Sequence, residues 1–248
     1  MRAWLGLREG VHYRREAFAA GLARCGYTVI HDTTTRPRTG DVLCIWNRYG
    51  HWARSAEVFE SHGLPVLIAE NGYLGNDFAA DRWYAISYAQ HNGAGAWPRG
   101  GDDRWDSLGV ELEPFRRPGA EFFETVLLPQ RGIGQPGVAM PAVWLAKATA
   151  RLSKAGKTYR IRKHPGTANA SSIAIDLART HTAYTWGSGA GLKALAMGIS
   201  VHADFPRWIG QQDNTDAGRL AMFRRLAWAQ WRISEIKSGE AFKCLLGK

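Results

Sequence analysis

The hydrophobic pattern of the first part of the chain alternates short apolar runs with stretches of helical spacing. Residues 41–46 (DVLCIW) and 64–69 (LPVLIA) are apolar almost throughout, as in strands buried on both faces of a sheet. Residues 13–25 and 53–62 have helical spacing, and a glycine follows each of them at or near its end. This β-α-β-α-β order predicts a parallel sheet. Weaker strand signals lie at residues 1–7, 28–31 and 83–88.

The second part of the chain repeats this order after a strand signal at residues 122–129. A glycine-rich loop at 130–140 leads into a helix at 141–155, which has proline at its first position. The elements predicted after this helix are strands at 159–163, 183–186 and 199–203, a flexible glycine loop at 187–191, and helices at 192–197 and 216–246. Strand, glycine loop, helix and strand in this order form a βαβ unit.

These elements predict an α/β protein built from two Rossmann-like halves with a cleft between them. We expect a first domain at 1–120 and a second domain at 121–215. We expect the helical segment at 216–248 to pack back on the first half.

Composition adds information about partners and location. The formal net charge is +10, and residues 151–163 carry six basic side chains and no acidic one, which favours a polyanion or a strongly anionic substrate. The three cysteines are far apart and form no metal-binding spacing, as expected of a cytoplasmic protein. No signal peptide and no membrane span is predicted.

The glycine loop at 187–191 is a candidate phosphate site. Gly189 and Gly191 precede a helix whose first N–H groups favour an anion, with Ser188 as a further donor. The loop is neither a Walker A loop nor a GxGxxG motif, so a plain strand-to-helix turn is the alternative. Arg162 and Lys163, with the adjoining histidine, arrive from a neighbouring strand end and favour phosphate.

A second candidate follows the strand at 122–129. Gln130 and Arg131 stand where that strand ends, and Gly132 allows the backbone to approach a ligand closely. A solvated loop is the alternative. Because strand ends of a parallel sheet meet at one edge, we expect both glycine loops to meet at one crevice.

The first half offers candidates for proton transfer. Glu70 directly follows a buried strand, where a carboxylate is well placed as a general base, although it could instead begin a turn. His91 is an alternative base, and Asn92 could bind a hydroxyl group. Weaker carboxylate candidates are Asp81, Asp102 and Asp103. No Ser-His-Asp order, Cys-His signature, DxD motif or metal cluster is recognisable, so we expect a divalent metal to be dispensable.

Three motifs resemble those of GT-B glycosyltransferases. They are VLIAENGYLG at 66–75, RKHP at 162–165 and TWGSGAGLKALAMGI at 185–199. They are most similar to compact transferases related to capsule-type Kdo transferases and to phage-encoded relatives. The resemblance covers the second half loosely, and in the first half only the Glu-Asn-Gly motif that begins at Glu70.

The resemblance implies that 1–120 is an acceptor-side domain and that 121–215 is a nucleotide-sugar-binding domain. It also implies a nucleotide-sugar donor such as UDP-glucose, with no other cofactor. The residues it assigns to the donor, added to those above, are His164, which with Lys163 meets the phosphate, and Lys193. Lys193 stands where the family has a ribose-binding glutamate, and this difference implies a more anionic donor contact. The residues assigned to the acceptor are Asn71, Gly72, Tyr73, Asn92 and Trp97, with Trp83 and Trp105 as further stacking candidates.

Small size, basic charge and eleven tryptophans suit a phage enzyme that glycosylates hydroxymethylated pyrimidines in double-stranded DNA. Its location would then be the cytoplasm of the infected cell. The alternatives are a transferase for a capsule- or lipopolysaccharide-type glycan, and a non-catalytic nucleic-acid-binding α/β protein. The oligomeric state does not follow from the sequence.

Overall fold

A computed structural model describes residues 1–31, 36–74, 83–164 and 172–247. In chain order its elements are β1 (Arg2–Gly6), α1 (Arg15–Arg24), β2 (Thr28–Ile30), β3 (Val42–Trp46), α2 (Gly50–Ser61), β4 (Val66–Asn71), β5 (Trp83–Tyr88), α3 (Asp103–Asp106), β6 (Glu124–Leu128), α4 (Trp144–Lys154), β7 (Arg160–Ile161), α5 (Ile173–Asp176), β8 (Thr180–Thr185), α6 (Gly189–Ala196), β9 (Ser200–Ala203), α7 (Asp216–Ala227), β10 (Gln230–Arg232), α8 (Ile233–Ser238) and α9 (Glu240–Leu246). They form a mixed α/β protein with parallel, Rossmann-like sheets.

The chain divides into two compact units. One consists of Met1–Gly100 together with Ala227–Lys248, and the other is Gly101–Leu226. The boundaries expected from the sequence were residues 120 and 215. Two segments, 101–120 and 216–226, therefore belong to the second unit, although the sequence did not assign them to the second domain.

Hydrogen bonds explain why both segments belong to the second unit. In the segment after residue 100, the Glu113 N–H donates to the Ala196 carbonyl at the end of α6 (3.0 Å). On α7, the buried Arg219 guanidinium donates to the Leu195 carbonyl (3.0 Å). Both segments are therefore held by α6, which the sequence could not indicate.

The sheet of the first unit has the strand order β10-β5-β4-β3-β1-β2. The strands β2, β1, β3 and β4 are parallel, as the sequence predicts, whereas β5 and β10 are antiparallel to their neighbours. In the sheet, β2 lies on one side of β1, whereas β3 and β4 follow on the other side. The strand order therefore reverses between β1 and β3. In open α/β sheets such a switch point is where ligands bind, beyond the carboxyl ends of the strands.

Both faces of this sheet are covered, and β3 shows it most clearly. Val42 and Cys44 pack with α1 and α9 on one face, while Leu43 and Ile45 pack with α2 on the other. This alternation is why the strand is apolar throughout, and it confirms the expected two-sided burial.

The C-terminal tail corrects the sequence prediction of a continuous helix. Residues Gln230–Arg232 form β10, which pairs antiparallel with β5, and both Gln230 and Trp231 are fully buried. Pairing with an existing sheet edge and burial of a tryptophan outweigh the helical preference of this segment. The strand places α8 and α9 against α1, where Phe242 contacts Phe18 edge to face.

The second unit contains a wholly parallel sheet with the order β7-β6-β8-β9. Its βαβ unit, β8-α6-β9, is the one that the sequence predicts. The glycine stretch is not a flexible loop, however, because α6 already begins at Gly189 with Ser188 as its N-cap. Gly191 lies inside the helix, where a Cβ atom would stand 3.0 Å from the Trp208 ring. Among the described helices, none has both the length and the hydropathy that crossing a bilayer requires.

The contact between α1 and α8 depends on a missing side chain. A Cβ atom at Gly21 would lie 1.9 Å from the Ile236 carbonyl oxygen and 2.9 Å from the Phe242 ring. We predict that Gly21→Ala destabilises the protein by about 2 kcal/mol, because overpacking outweighs the better helix propensity of alanine. Thermal unfolding measures this.

Gly119→Ala is the matched control, since a Cβ atom there meets nothing within 4 Å. We expect this variant to change stability by less than about 0.5 kcal/mol. Equal unfolding temperatures for the two variants would contradict close packing of α8 on α1.

Candidate functional site

The Glu70 carboxylate lies near the carboxyl end of β4, where it is surrounded by donors. The Tyr73 hydroxyl donates to its Oε1 at 2.6 Å. The backbone N–H groups of Asn92 and Gly93 also donate to this carboxylate. The structure thus brings together the two candidate motifs of the first half, which lie twenty residues apart in sequence and meet because β4 and β5 are adjacent.

Burial controls the protonation of this group. Burial raises the pKa of the Glu70 carboxyl above its ordinary value, and the hydrogen bonds from Tyr73, Asn92 and Gly93 act in the opposite direction. Burial, followed by the negative charge of Glu70, raises the pKa of Tyr73 well above its ordinary value. Tyr73 is therefore a neutral phenol that donates a hydrogen bond to the carboxylate. A glutamate with a raised pKa is suited to take a proton near neutral pH.

His91 is buried, at 1% exposure, and faces the loop that follows β3. Its Nδ1 accepts a hydrogen bond from the backbone N–H of Arg48 (3.2 Å). Because a backbone N–H can only donate, Nδ1 must carry a lone pair, and the ring proton of a neutral imidazole is then on Nε2. In this state neither nitrogen is available to accept a proton.

The residues next to Glu70 have mainly structural contacts. Gly72 has no space for a side chain, because a Cβ atom would stand 2.7 Å from that of Trp83. The backbone N–H of Tyr73 donates to the buried Gln230 side chain on β10 (3.0 Å). Asn71 is exposed at the end of β4 and is free to meet solvent or substrate. Gln230 carried no sequence signal, since it lies in the segment predicted as helix.

The tryptophans expected to stack on an acceptor divide into two groups. Trp83 and Trp105 are 6% and 5% exposed, so the expectation that either presents a stacking face is wrong. The second of them stacks on Phe223 inside the second unit (5.0 Å between ring centroids). Trp97 is half-buried. Among the weaker carboxylates, Asp81 lies outside the described residues and Asp102 pairs with Arg224 in the second unit.

In the second unit the two predicted loops meet at the carboxyl ends of β6 and β8. The Gln130 side-chain amide donates to the Gly187 carbonyl (3.2 Å). The Thr185 hydroxyl donates to the Leu128 carbonyl and accepts from the Ser188 N–H, each at 3.0 Å. These strands flank the switch point of this sheet, where an open α/β fold binds its ligand. Thr185 was missed by the sequence analysis.

At the N-terminus of α6, one backbone N–H is capped by a side chain, and a neighbouring residue is accessible to a ligand. The Ser188 hydroxyl accepts from the Ala190 N–H (3.1 Å), so it caps the helix instead of projecting toward a ligand. A Cβ atom at Gly189 would meet nothing within 4 Å. A ligand can therefore approach the helix at Gly189, while Gly191 is packed under Trp208 and cannot contact it.

The basic residues after β6 and β7 also differ from one another. Arg162 is bound to Asp176 by an ion pair (Nε–Oδ2 2.6 Å) and is largely buried, which indicates a structural role. Arg131 and Lys163 are exposed, as is Gly132 beside the former. Lys193 is half-buried on α6. The exposed cations are the ones that can meet an anionic ligand.

His164 lies among these cations. Burial, followed by the charges of Arg131 and Arg162, lowers the pKa of its imidazole. The ring is therefore neutral at pH 7 and can act as a hydrogen-bond donor or acceptor. The residues that follow His164 in the chain, Pro165 and Gly166, lie outside the described residues. Within the described part of the chain, no three His, Cys, Asp or Glu side chains are arranged to hold a metal ion.

Comparison with known proteins identifies a shared fold. Neither a protein-family model nor a curated protein sequence matches the chain. Among solved structures, it is similar to enzymes with glycosyltransferase activity. One is the KpsC β-Kdo 2,4-transferase of Thermosulfurimonas dismutans, with 14% identity, a TM-score of 0.56, and coverage of 91% of this chain and 89% of that one. The other is the KpsC β-Kdo 2,7-transferase of the same organism, with 13% identity, a TM-score of 0.51 and full coverage of both chains. The chain shares the fold of these Kdo transferases.

We predict that the His164 imidazole titrates below 6.5, its ordinary pKa. Removing a neighbouring cation by Arg131→Gln should raise the pKa toward that value, because a nearby positive charge disfavours the imidazolium form. NMR titration of the imidazole C–H signals measures both. Arg117→Gln, which removes an exposed arginine elsewhere in the unit, should leave the pKa unchanged. An unperturbed pKa in the parent protein, or equal shifts in both variants, would contradict the described environment.

Proposed function

We propose that this chain is a glycosyltransferase that moves a sugar from a nucleotide-sugar donor to a hydroxyl group of a bacterial surface glycan. The observation that carries the proposal is the similarity of fold to two Kdo transferases over nearly the whole of each chain. Of the two acceptors expected from the sequence, the Kdo transferase activity of these two similar proteins supports the glycan. Nothing in the comparisons supports hydroxymethylpyrimidine in phage DNA as the acceptor.

The second unit would bind the donor. Arg131 and Lys163 are exposed beside a switch point, and the Gly189 end of α6 is open to a ligand. A helix N-terminus and two cations together favour a phosphate group. They would also stabilise the negative charge that develops on the leaving phosphate. A Kdo sugar carries a carboxylate, which gives this basic edge a second anionic group to recognise.

The first unit would activate the acceptor through Glu70. A carboxylate offers about four lone-pair positions. The Tyr73 hydroxyl and the Asn92 and Gly93 amides use up to three, so about one remains for the proton of an acceptor hydroxyl. Glu70 is preferred to His91 as the base, because the hydrogen bond from Arg48 leaves the neutral imidazole without an available lone pair.

The proposed reaction then follows in one step. The acceptor hydroxyl gives its proton to Glu70 as its oxygen attacks the anomeric carbon, and the bond from that carbon to the donor phosphate breaks. The electron pair of that bond leaves with the nucleotide phosphate. The cleft between donor and acceptor halves implied by the GT-B resemblance, and turnover without a divalent metal, stay predictions.

The test is a binding screen of the whole protein against UDP-, GDP- and CMP-linked sugars, including a Kdo donor, by isothermal titration calorimetry. We expect one nucleotide class to bind, and Lys163→Ala to weaken that binding about tenfold, the usual loss of a charge-assisted hydrogen bond. Lys154→Ala removes an exposed lysine at the far end of α4 and should change the affinity less than twofold.

Transfer to a Kdo-containing oligosaccharide and to hydroxymethylated duplex DNA is then measured with the donor that binds, with and without EDTA. Product on the oligosaccharide supports the proposal, and product on the DNA alone would replace the glycan acceptor. Failure to bind any donor, with binding of DNA, would leave a nucleic-acid-binding protein.

A further inference from the structure

Arg48 lies two residues after the end of β3 and carries a guanidinium group that is almost fully buried, with its side chain 4% exposed. A buried charge is costly unless it is paired and hydrogen-bonded. Glu60 on α2 accepts from both terminal nitrogens, with an Nη1–Oε1 distance of 2.5 Å and an Nη2–Oε2 distance of 2.7 Å. This two-pronged pair fixes the guanidinium relative to α2.

The other hydrogen bonds of Arg48 go to the turn at residues 89–93. Its Nη1 donates to the Ala89 carbonyl (2.7 Å), and its backbone N–H donates to His91 Nδ1 (3.2 Å). Ala89 and Asn92 both have left-handed backbone conformations, with φ of 64° and 56°. Residues with a side chain keep such a conformation only where the surroundings hold them in it.

This turn supplies the two amides that donate to Glu70, those of Asn92 and Gly93. We propose that Arg48 is a positioning residue, which holds the turn at 89–93 so that its amides remain on the Glu70 carboxylate. The inference rests on the proposed role of Glu70 as general base. The hydrogen bonds of Arg48 go to Glu60 and to the turn, and Glu60 serves as the anchor that keeps Arg48 in place.

The position of the turn contributes to the pKa of Glu70. Tyr73 is the titratable side chain in contact with the carboxylate, and it is a neutral phenol. Among the described residues, the two amides of the turn also contact the carboxylate, and they lower the pKa of Glu70 against the effect of burial. If the turn relaxes, these amides withdraw and only the hydrogen bond from Tyr73 still opposes the effect of burial, so the pKa of Glu70 rises.

The experiment compares the parent protein with Arg48→Gln in two measurements. The pKa of Glu70 is followed by NMR of protein labelled with ¹³C at the glutamate carboxyl carbon, and its signal is assigned by its loss in Glu70→Gln. The acidic limb of the kcat/KM profile is measured with the donor and acceptor identified above. We expect Arg48→Gln to raise the pKa of Glu70 by about one unit and to shift the acidic limb of the kcat/KM profile to higher pH by the same amount. The KM for the donor should stay within twofold of the parent value.

Arg2→Gln is the matched control, because Arg2 also pairs with a buried carboxylate of the first unit, that of Asp41 (2.6 Å), which lies outside the turn. It should leave the pKa of Glu70 unchanged. Glu60→Gln provides a second, milder variant, since it weakens the anchor and leaves Arg48 in place. It should shift the pKa in the same direction by a smaller amount, and it carries the test if Arg48→Gln does not fold.

An unchanged pKa of Glu70 in folded Arg48→Gln, or an equal shift in Arg2→Gln, would overturn the inference. A parent protein that transfers no sugar would overturn the proposed function instead. The NMR titration needs no substrate, so it distinguishes these two failures.

Discussion

The first unit must supply hydrogen-bond donors to the carboxylate of Glu70, which is removed from much of its contact with water. A carboxylate in a partly buried position needs donors, and Glu70 obtains them from Tyr73 on its own strand end and from the turn that follows β5. Each of these suppliers needs support in turn. Gln230 on β10 holds the backbone next to Tyr73, and Arg48 holds the turn. Three distant parts of the chain thus fold around one side chain.

This dependence explains how the C-terminal tail contributes to the site. β10 adds an antiparallel strand beside β5, and its Gln230 accepts from the N–H groups of Tyr73 and Leu74 and donates to the carbonyl of the latter. A strand at this position brings a buried amide to a turn whose polar groups would otherwise be unsatisfied. The tail is therefore part of the support of the candidate site as well as of the hydrophobic core.

The sequence was informative where one residue pattern determines one outcome. The continuous apolar runs predicted β3 and β4, because strands buried on both faces exclude polar residues. The order of strand, glycine loop, helix and strand identified the βαβ unit, although α6 begins within the stretch that the sequence predicted as a loop. Glu70 and its neighbours were found because polar residues at the end of a buried strand are conspicuous.

The rest depends on contacts between residues far apart in the chain. Nothing local shows that residues 230–232 pair with β5, since their neighbours on both sides are helical. The ion pair of Arg162 with Asp176 could not be distinguished from a ligand-binding role by sequence, because both need a cation at a strand end. Arg48 did carry a weaker signal, since it lies two residues after an apolar strand, and it was overlooked.

The most direct test of the account is the turnover of Glu70→Gln with the donor that the protein binds. The glutamine amide keeps the size of the side chain but cannot take a proton. If Glu70 is the general base, kcat should fall about a hundredfold or more, the usual contribution of such a group, with donor affinity within twofold of the parent. Glu57→Gln, on the exposed face of α2, should retain the parent rate. A folded Glu70→Gln variant that turns over at the parent rate would contradict the assignment of Glu70 as the base.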